Sequence, residues 1–341
     1  MSERLHAALT AVAAHFPAHV RSNRYFYEDL RLETNEEWIL SRTGVRERRV
    51  VDLAAGETCA TLATAAARAC LDRRGIASTD LDAILVATIT GDLGFPATAC
   101  LVQSRIGATR AFAFDISGAC TGWLQALTTA AAFVESGRAE RILVIGAEAM
   151  SSILDYTDRN TCILFGDGAG AALVERVPAA FPGRILDCVL ETDGSGAKYL
   201  YRTGGGALHL PGAAEQEFPR SEQVTQDGRT IFKLAVQNIS GVVKKLLERN
   251  GLSTADVKLV VPHQANIRII DACIERLGLP EEKVAVCVDR YGNTTAATLP
   301  TTLAIALEEG RLEAGDLFLF CTFGAGLTWG AALCRWGGAP E

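Results

Sequence analysis

Apolar runs and polar breaks alternate along this chain in a way that predicts strands and helices in turn. AILVATIT (83–90), RILVIGAE (141–148) and DLFLFCTF (316–323) are short, nearly continuous apolar runs, the pattern of strands covered on both faces. Helical stretches stand between such runs, so the sequence predicts an α/β protein with mixed sheets sandwiched by helices. Two helices differ from the rest. Residues 121–136 (TGWLQALTTAAAFVES) and 294–309 (TTAATLPTTLAIALEE) are rich in Ala, Leu and Thr and carry no charge until their C-terminal ends. A surface helix would show a polar stripe; these two are expected to be buried all round. Residues 195–230, rich in Gly and polar side chains, read as a long loop or flap.

The pattern occurs twice. LDRRGIASTDLDAILV (71–86) and LERNGLSTADVKLVV (247–261) align at a shift of 176, and in each a helix is expected to end at Gly before a polar loop and a buried strand. AAAFVESGRAERILVIG (130–146) echoes AIALEEGRLEAGDLFLF (304–320), and FGDGAGAALV (165–174) echoes FGAGLTWGAAL (323–333). Three echoes in one order predict two halves of a duplicated unit, 1–178 and 179–341, with no linker between them. One buried helix from each half, set between two sheets, gives a sandwich of five layers with the outer helices.

Composition narrows the function. The chain has 341 residues, 49% of them hydrophobic and 21% charged, enough for a large core. Lys and Arg number 33 against 40 Asp and Glu, a net charge of −7, which lacks the footprint of a nucleic-acid binder. No apolar stretch reaches the ~18 residues of a membrane span, so no membrane partner is expected. The apolar run after Met-Ser-Glu-Arg is short and broken by His15 and His19, so no signal peptide is expected. Ten cysteines occur without a C-x-x-C pair, which speaks against zinc ribbons and redox dithiols. The thiols are expected to stay reduced in a cytoplasm, most of them as small core hydrophobes. Gly166–Gly170 lacks the strand–loop–helix context of a nucleotide fingerprint and reads as a tight turn, and RERRVV (46–51) reads as a solvated face.

One cysteine stands differently. In AFAFDISGACTGWLQAL an apolar strand (111–116) enters a small-residue turn and a buried helix starts just after Cys120. A helix N-terminus lowers a thiol pKa, and the turn aims a backbone N–H at any carbonyl the sulfur attacks. His263 follows the strand KLVVP, where its ring can face a cleft, and Asn293 lies in a Gly-Asn turn before the second buried helix. Taken alone, each has a plain structural explanation: an inert core thiol, a satisfied histidine, a turn Asn. The Gly137–Gly310 pairing, a shift of 173, places Asn293 opposite Cys120 in the duplicated unit; Pro300 is expected in the first turn of the second helix, which would make 294–299 a pre-helical turn and the equivalence imperfect. Nucleophile, imidazole and carboxamide donor then form a Cys-His-Asn set.

These segments resemble the β-ketoacyl-acyl-carrier-protein synthase III family. The likeness runs end to end through TNEEWILSRTGVRERR (34–49), GFPATACLVQSRIG (94–107), DISGACTGW (115–123), TDRNTCILFGDGAGAAL (157–173), VPHQANIRII (261–270), YGNTTAATLP (291–300) and FGAGLTWGAAL (323–333). The resemblance implies a thiolase-like five-layer αβαβα sandwich and a homodimer. It implies that Cys120 takes an acyl group from acyl-CoA, while His263 and Asn293 hold the thioester carbonyl of malonyl-acyl carrier protein as CO₂ leaves. By the same likeness the backbone N–H groups of Cys120 and Ala325 hold the tetrahedral oxyanion, and Phe323 disfavours the malonyl carboxylate. Trp38 and Arg159 would sandwich the CoA adenine, with Arg42, Thr34, Phe232 and Asn266 lining the channel. Lys233 and Arg268 would dock the acidic carrier protein, and Phe95 falls where the partner subunit closes the acyl pocket. One family basic position is Glu275 here, and Gly118, Thr121 and Trp123 depart from the family around the nucleophile. The chemistry calls for no metal and no redox cofactor. A starter synthase or acyltransferase of polyketide- or quinolone-type metabolism would share the same residues. A Cys-His-Asn hydrolase with His263 as base, or a non-catalytic scaffold, fits the repeat and the intact residue set less well.

Overall fold

The computed structural model describes residues 5–213 and 218–338; the expectation about Met1–Arg4, and 214–217 within the expected flap, lie outside the described residues. In chain order the strands begin with β1 (His6–His15) and a small ribbon of β2 (Val20–Ser22) and β3 (Glu47–Arg49). Next come β4 (Ala83–Ala87), β5 (Phe112–Ile116), β6 (Arg141–Glu148), β7 (Gly168–Val177) and β8 (Arg184–Thr192). A second ribbon, β9 (Leu200–Tyr201) and β10 (Thr225–Gln226), precedes β11 (Leu259–Pro262), β12 (Leu317–Gly324) and β13 (Thr328–Arg335). The helices are α1 (Glu36–Thr43), α2 (Cys59–Arg74), α3 (Thr98–Ile106), α4 (Gly122–Glu135), α5 (Gly228–Arg249), α6 (Ile267–Leu277), α7 (Val288–Tyr291) and α8 (Thr298–Glu308).

Two mixed sheets form, ordered β1-β7-β6-β4-β5 and β11-β12-β13-β8. Side chains alternate between two cores along each strand, as the two-residue period requires. Leu85 and Ala87 of β4 face the central core with Val144 of β6, while Ile84 and Val86 face the outer layer of α2 and α3. In the second sheet Phe318 and Phe320 point to the same central core, and Leu319 and Cys321 point out toward α5 and α6. The layers therefore run α2/α3, sheet, α4/α8, sheet, α5/α6. This is the five-layer αβαβα arrangement the sequence predicts. No helix among the described residues is long and apolar enough to cross a membrane.

The central helices are buried because their polar atoms are satisfied internally. Thr128 and Thr129 of α4 donate to the Leu124 and Gln125 carbonyls at 2.9 and 2.8 Å, and Thr301 of α8 donates to Ala297 at 2.7 Å. Trp123 ties α4 to both sheets: its ring meets Phe320 edge-on at 5.1 Å, and its Nε1–H donates to the Val144 carbonyl at 3.3 Å. Removing a side chain so placed costs about 3–5 kcal/mol.

Four expectations change. The second helix starts at Thr298 with Pro300 in its first turn, as expected, after a 3₁₀ turn at Thr295–Ala297, as α4 follows a 3₁₀ turn at Ala119–Thr121; what changes is the pairing of the halves. Ala119 (φ 46°) and Thr295 (φ 51°) open these turns with the same left-handed backbone, so the structural shift here is 176. Asn293 therefore pairs with Ser117, and Cys120 with Ala296; α8 is three residues shorter than α4, which restores the shift of 173 beyond it. Gly166–Gly170 is not a tight turn: Gly168 begins β7, and a Cβ at Gly170 would lie 2.8 Å from the Pro300 ring, so the glycines let α8 lie against the sheet. RERRVV is not wholly solvated, because Arg48 is fully buried beneath the Phe26 ring. Its guanidinium donates to Asn23 and the Ile163 carbonyl, and burial lowers its pKa to about 10. Finally, the strand expected at 83–90 ends at Ala87, where residues 88–90 turn toward Glu148.

Candidate active site

Cys120 sits in the 3₁₀ turn that feeds α4. Asp115 of β5 fixes the approach by accepting from Thr98 N and Ala99 N at 2.6 and 2.8 Å, capping α3. Thr322 Oγ1 donates to the Cys120 carbonyl at 2.9 Å, tying the turn to β12. Gly324 has no room for a side chain, since a Cβ there would stand 3.0 Å from Cys120 Cβ. The thiol is buried, and this reverses one expectation. Burial, and next the nearby Glu148 carboxylate, push the Cys120 pKa up to about 12 despite the turn's N–H groups.

His263 leaves the end of β11 with its N–H on the Cys321 carbonyl at 2.8 Å and its Nδ1 2.7 Å from Thr298 Oγ1. It is 3% exposed, and burial lowers its pKa to about 3, so the ring is neutral. Gln264 pins the neighbouring backbone, donating to the Pro262 and Ala285 carbonyls and accepting from Cys287 N and Val288 N. Asn293 bridges to the strand-like Phe165: its N–H meets the Leu164 carbonyl at 2.9 Å and its carbonyl receives Gly166 N at 3.1 Å. Its side-chain oxygen accepts from Thr295 N at 2.9 Å, which leaves the NH₂ as the free end of the carboxamide.

These groups converge on one cavity of about 1070 Å³. Cys120, His263, Asn293, Phe323 and Ala325 line it together with Trp38, Arg42, Phe232, Asn266 and Arg268; the first four are buried, whereas Arg42 and Arg268 are exposed. Ala325 adopts no left-handed backbone, so a side chain there is tolerated. Phe323 stacks on Trp329 at 6.3 Å, and Arg268 lies 5.4 Å from the Phe232 ring. The oxygen of Asn266 is already used, capping α6 through Ile269 N at 3.0 Å. Arg159 stacks on Trp38 at 5.0 Å and donates to the Glu33 carbonyl; Arg42 lies 5.8 Å from the same ring. A flat ring fits between Trp38 and Arg159 only after the guanidinium swings away. Thr34, Arg159, Lys233 and Phe95 are not part of the cavity wall: Thr34 holds a buried hydroxyl without a partner, Arg159 lies against Trp38, Lys233 is exposed on α5, and Phe95 is 89% exposed. The expected flap contributes Leu200, Tyr201, Val224 and Gln226 to the wall through its β9–β10 ribbon.

Sequence reasoning missed Glu148. This fully buried carboxylate ends β6 and accepts from Thr90 Oγ1 at 2.5 Å, Thr88 Oγ1 at 3.3 Å and Ile89 N at 3.2 Å. Burial raises its pKa to about 8. Its signal was present in RILVIGAE, where an acidic residue closes a strand otherwise covered on both faces.

Comparison with known proteins places the whole chain in one family. Residues 114–194 match the family described as 3-oxoacyl-[acyl-carrier-protein (ACP)] synthase III, and 247–336 match its C-terminal part. The β-ketoacyl-[acyl-carrier-protein] synthase III of Chlorobium chlorochromatii is 48% identical over 97% of this chain and 99% of its own length. That of Koribacter versatilis is 45% identical over 97% and 98%. The crystal structure of the Thermus thermophilus β-ketoacyl-[acyl carrier protein] synthase III superposes with a TM-score of 0.89 at 45% identity, covering 97% of this chain and 100% of that one. The priming β-ketosynthase from the R1128 polyketide biosynthetic pathway gives 0.90 at 32% identity, covering 100% and 99%. With relatives this similar along nearly the whole sequence, the chain belongs to the β-ketoacyl-acyl-carrier-protein synthase III family.

Proposed function

We propose that this protein joins an acyl-CoA primer to malonyl-acyl carrier protein by decarboxylative Claisen condensation, the step that starts fatty-acid synthesis. The observation that carries the reading is the convergence of Cys120, His263 and Asn293, from three separate elements, on one cavity. Cys120 Sγ attacks the acyl-CoA carbonyl, the C–S bond to CoA breaks, and the thiol proton leaves with CoA as CoA–SH. The backbone N–H groups of Cys120 and Ala325 serve the oxyanion of that step. Malonyl-carrier protein then places its thioester oxygen against His263 and Asn293. Loss of CO₂ leaves an electron pair on Cα and charge on that oxygen, and two neutral donors stabilise the enolate; one such donor is worth about 3 kcal/mol. The carbanion attacks acyl-Cys120, the Cys120 C–S bond breaks, β-ketoacyl-carrier protein forms, and the departing Cys120 thiolate takes a proton from solvent to restore the thiol.

A neutral His263 with weakened basicity suits donation better than the general-base role a hydrolase requires. The apolar Phe323 in the cavity wall favours loss of the malonyl carboxylate. Trp38, Arg42, Phe232 and Asn266 form the CoA side of the cavity, with Arg159 stacked on Trp38 and Thr34 just before α1, both outside the wall. Arg268 at the cavity wall and exposed Lys233 face the acidic carrier. A homodimer would use the open edge of β5 and the exposed Phe95, and ten free cysteines suit a reducing cytoplasm. The likeness to the R1128 priming ketosynthase favours one second reading, the same condensation on a polyketide carrier.

The test is the purified protein with acetyl-CoA and malonyl-carrier protein of each type. One CO₂ released per β-ketoacyl-carrier product supports the proposal, and the preferred carrier separates the two pathways. Release of free acid with no condensed product would overturn it.

A further inference from the structure

His263 has one ring proton to place, and the chemistry of the site depends on where it lies. A neutral imidazole donates from one nitrogen and accepts at the other. Nδ1 faces Thr298 Oγ1 at 2.7 Å, while Nε2 has no partner among the described residues and is the nitrogen left to the cavity. If Nδ1 carried the proton, Nε2 would present a lone pair to the developing enolate and repel it.

Thr298 has a hydroxyl proton and two acceptors in reach, His263 Nδ1 at 2.7 Å and the Thr295 carbonyl at 2.9 Å. The Thr295 carbonyl already receives the backbone N–H of Thr298, which closes the 3₁₀ turn. That oxygen can accept a second hydrogen bond, so the choice between the two acceptors rests on distance, and the imidazole nitrogen is the nearer, 2.7 against 2.9 Å. We propose that Thr298 is a positioning residue for the condensation: its hydroxyl donates to His263 Nδ1 and so keeps the ring proton on Nε2, aimed at the substrate carbonyl. This rests on the donor role of His263 given above. Thr298 is 1% exposed at the first turn of α8, so no solvent competes for its hydroxyl. The left-handed turn at Thr295 sets the direction from which that hydroxyl comes. The threonine-rich start of the second buried helix thus acquires a reason beyond helix packing.

The test separates the two half-reactions in native protein, Thr298→Val and Thr298→Ser. Native acylation of Cys120 by acetyl-CoA, read by intact mass, checks the reaction on which the proposal rests. In Thr298→Val acylation should persist while condensation falls about 100-fold, the loss expected for one of two oxyanion donors. Thr298→Ser should restore most of it. Nitrogen-15 NMR of histidine-labelled protein should place the His263 proton on Nε2 in the native and Ser proteins and shift it toward Nδ1 in the Val variant. Condensation at the native rate in Thr298→Val, or a proton found on Nδ1 in the native protein, would overturn the assignment. Equal loss of acylation and condensation would show a structural role and overturn it as well. Failure of the native protein to acylate would strike the reaction itself.

Discussion

The state of the Cys120 thiol is where local and tertiary effects disagree most, and it can be titrated. A helix N-terminus alone would pull a thiol below its ordinary pKa of about 8.5. Burial instead pushes Cys120 up to about 12, with Glu148 adding like charge. At pH 8 an ordinary thiol is roughly one-quarter thiolate, whereas Cys120 would be on the order of 10⁻⁴ thiolate. Alkylation follows the thiolate. Iodoacetamide labelling of the Cys120 peptide, followed by mass spectrometry from pH 6 to 10 beside free N-acetylcysteine, should therefore rise about tenfold per pH unit without levelling. The rate at pH 8 should be about 10³-fold below the free thiol. Glu148→Gln should raise the rate above about pH 8, where the native carboxyl ionises and becomes the second cause of the shift, and leave it little changed below. A plateau at or below pH 8 in the native protein would refute this reasoning and show that the turn's N–H groups outweigh burial.

Three further outcomes follow from the geometry. Asn293→Ala should retain acylation of Cys120 but lose about 10²–10³ in condensation, checked by product formation against intact mass. Glu148 has a folded pKa raised to about 8 from an ordinary 4.5, so its contribution to stability is full below about pH 4.5 and is lost as pH rises through 8. The stability of Glu148→Gln relative to native should accordingly increase between pH 5 and 8 in urea titrations; a constant difference would contradict the buried, protonated carboxyl. Trp38→Leu should raise KM for acyl-CoA while leaving the rate at saturation unchanged, because it removes a stacking face remote from the reacting carbon.

Much of the fold was legible because duplicated apolar strands and two chargeless helices leave few ways to bury their faces. The meeting of Cys120, His263 and Asn293 at one cavity was legible for a related reason: each stands where a buried element ends, and element ends are where cavities form. What failed depended on contacts between distant segments. Arg48 reads as one cation in a basic run, and only the fold supplies the Phe26 ring and the Asn23 and Ile163 oxygens that bury it. The pairing of Cys120 with Asn293 failed because three residues are missing inside the second helix, after the site rather than before it. The thiol pKa failed because local sequence reports the turn's dipoles but not the depth of burial. Thr298 was hidden among helix threonines until His263, thirty-five residues away in sequence, came to rest against it.

The central claim is that Cys120 carries the acyl group between CoA and the new carbon–carbon bond. Intact mass after incubation with acyl-CoAs, then with malonyl-carrier protein, tests it most directly. The account predicts one acyl increment on the native protein and none on Cys120→Ala. The increment should clear on addition of malonyl-carrier protein, with β-ketoacyl-carrier product appearing in equal amount. An increment that persists on Cys120→Ala, or one that clears only to free acid, would contradict it.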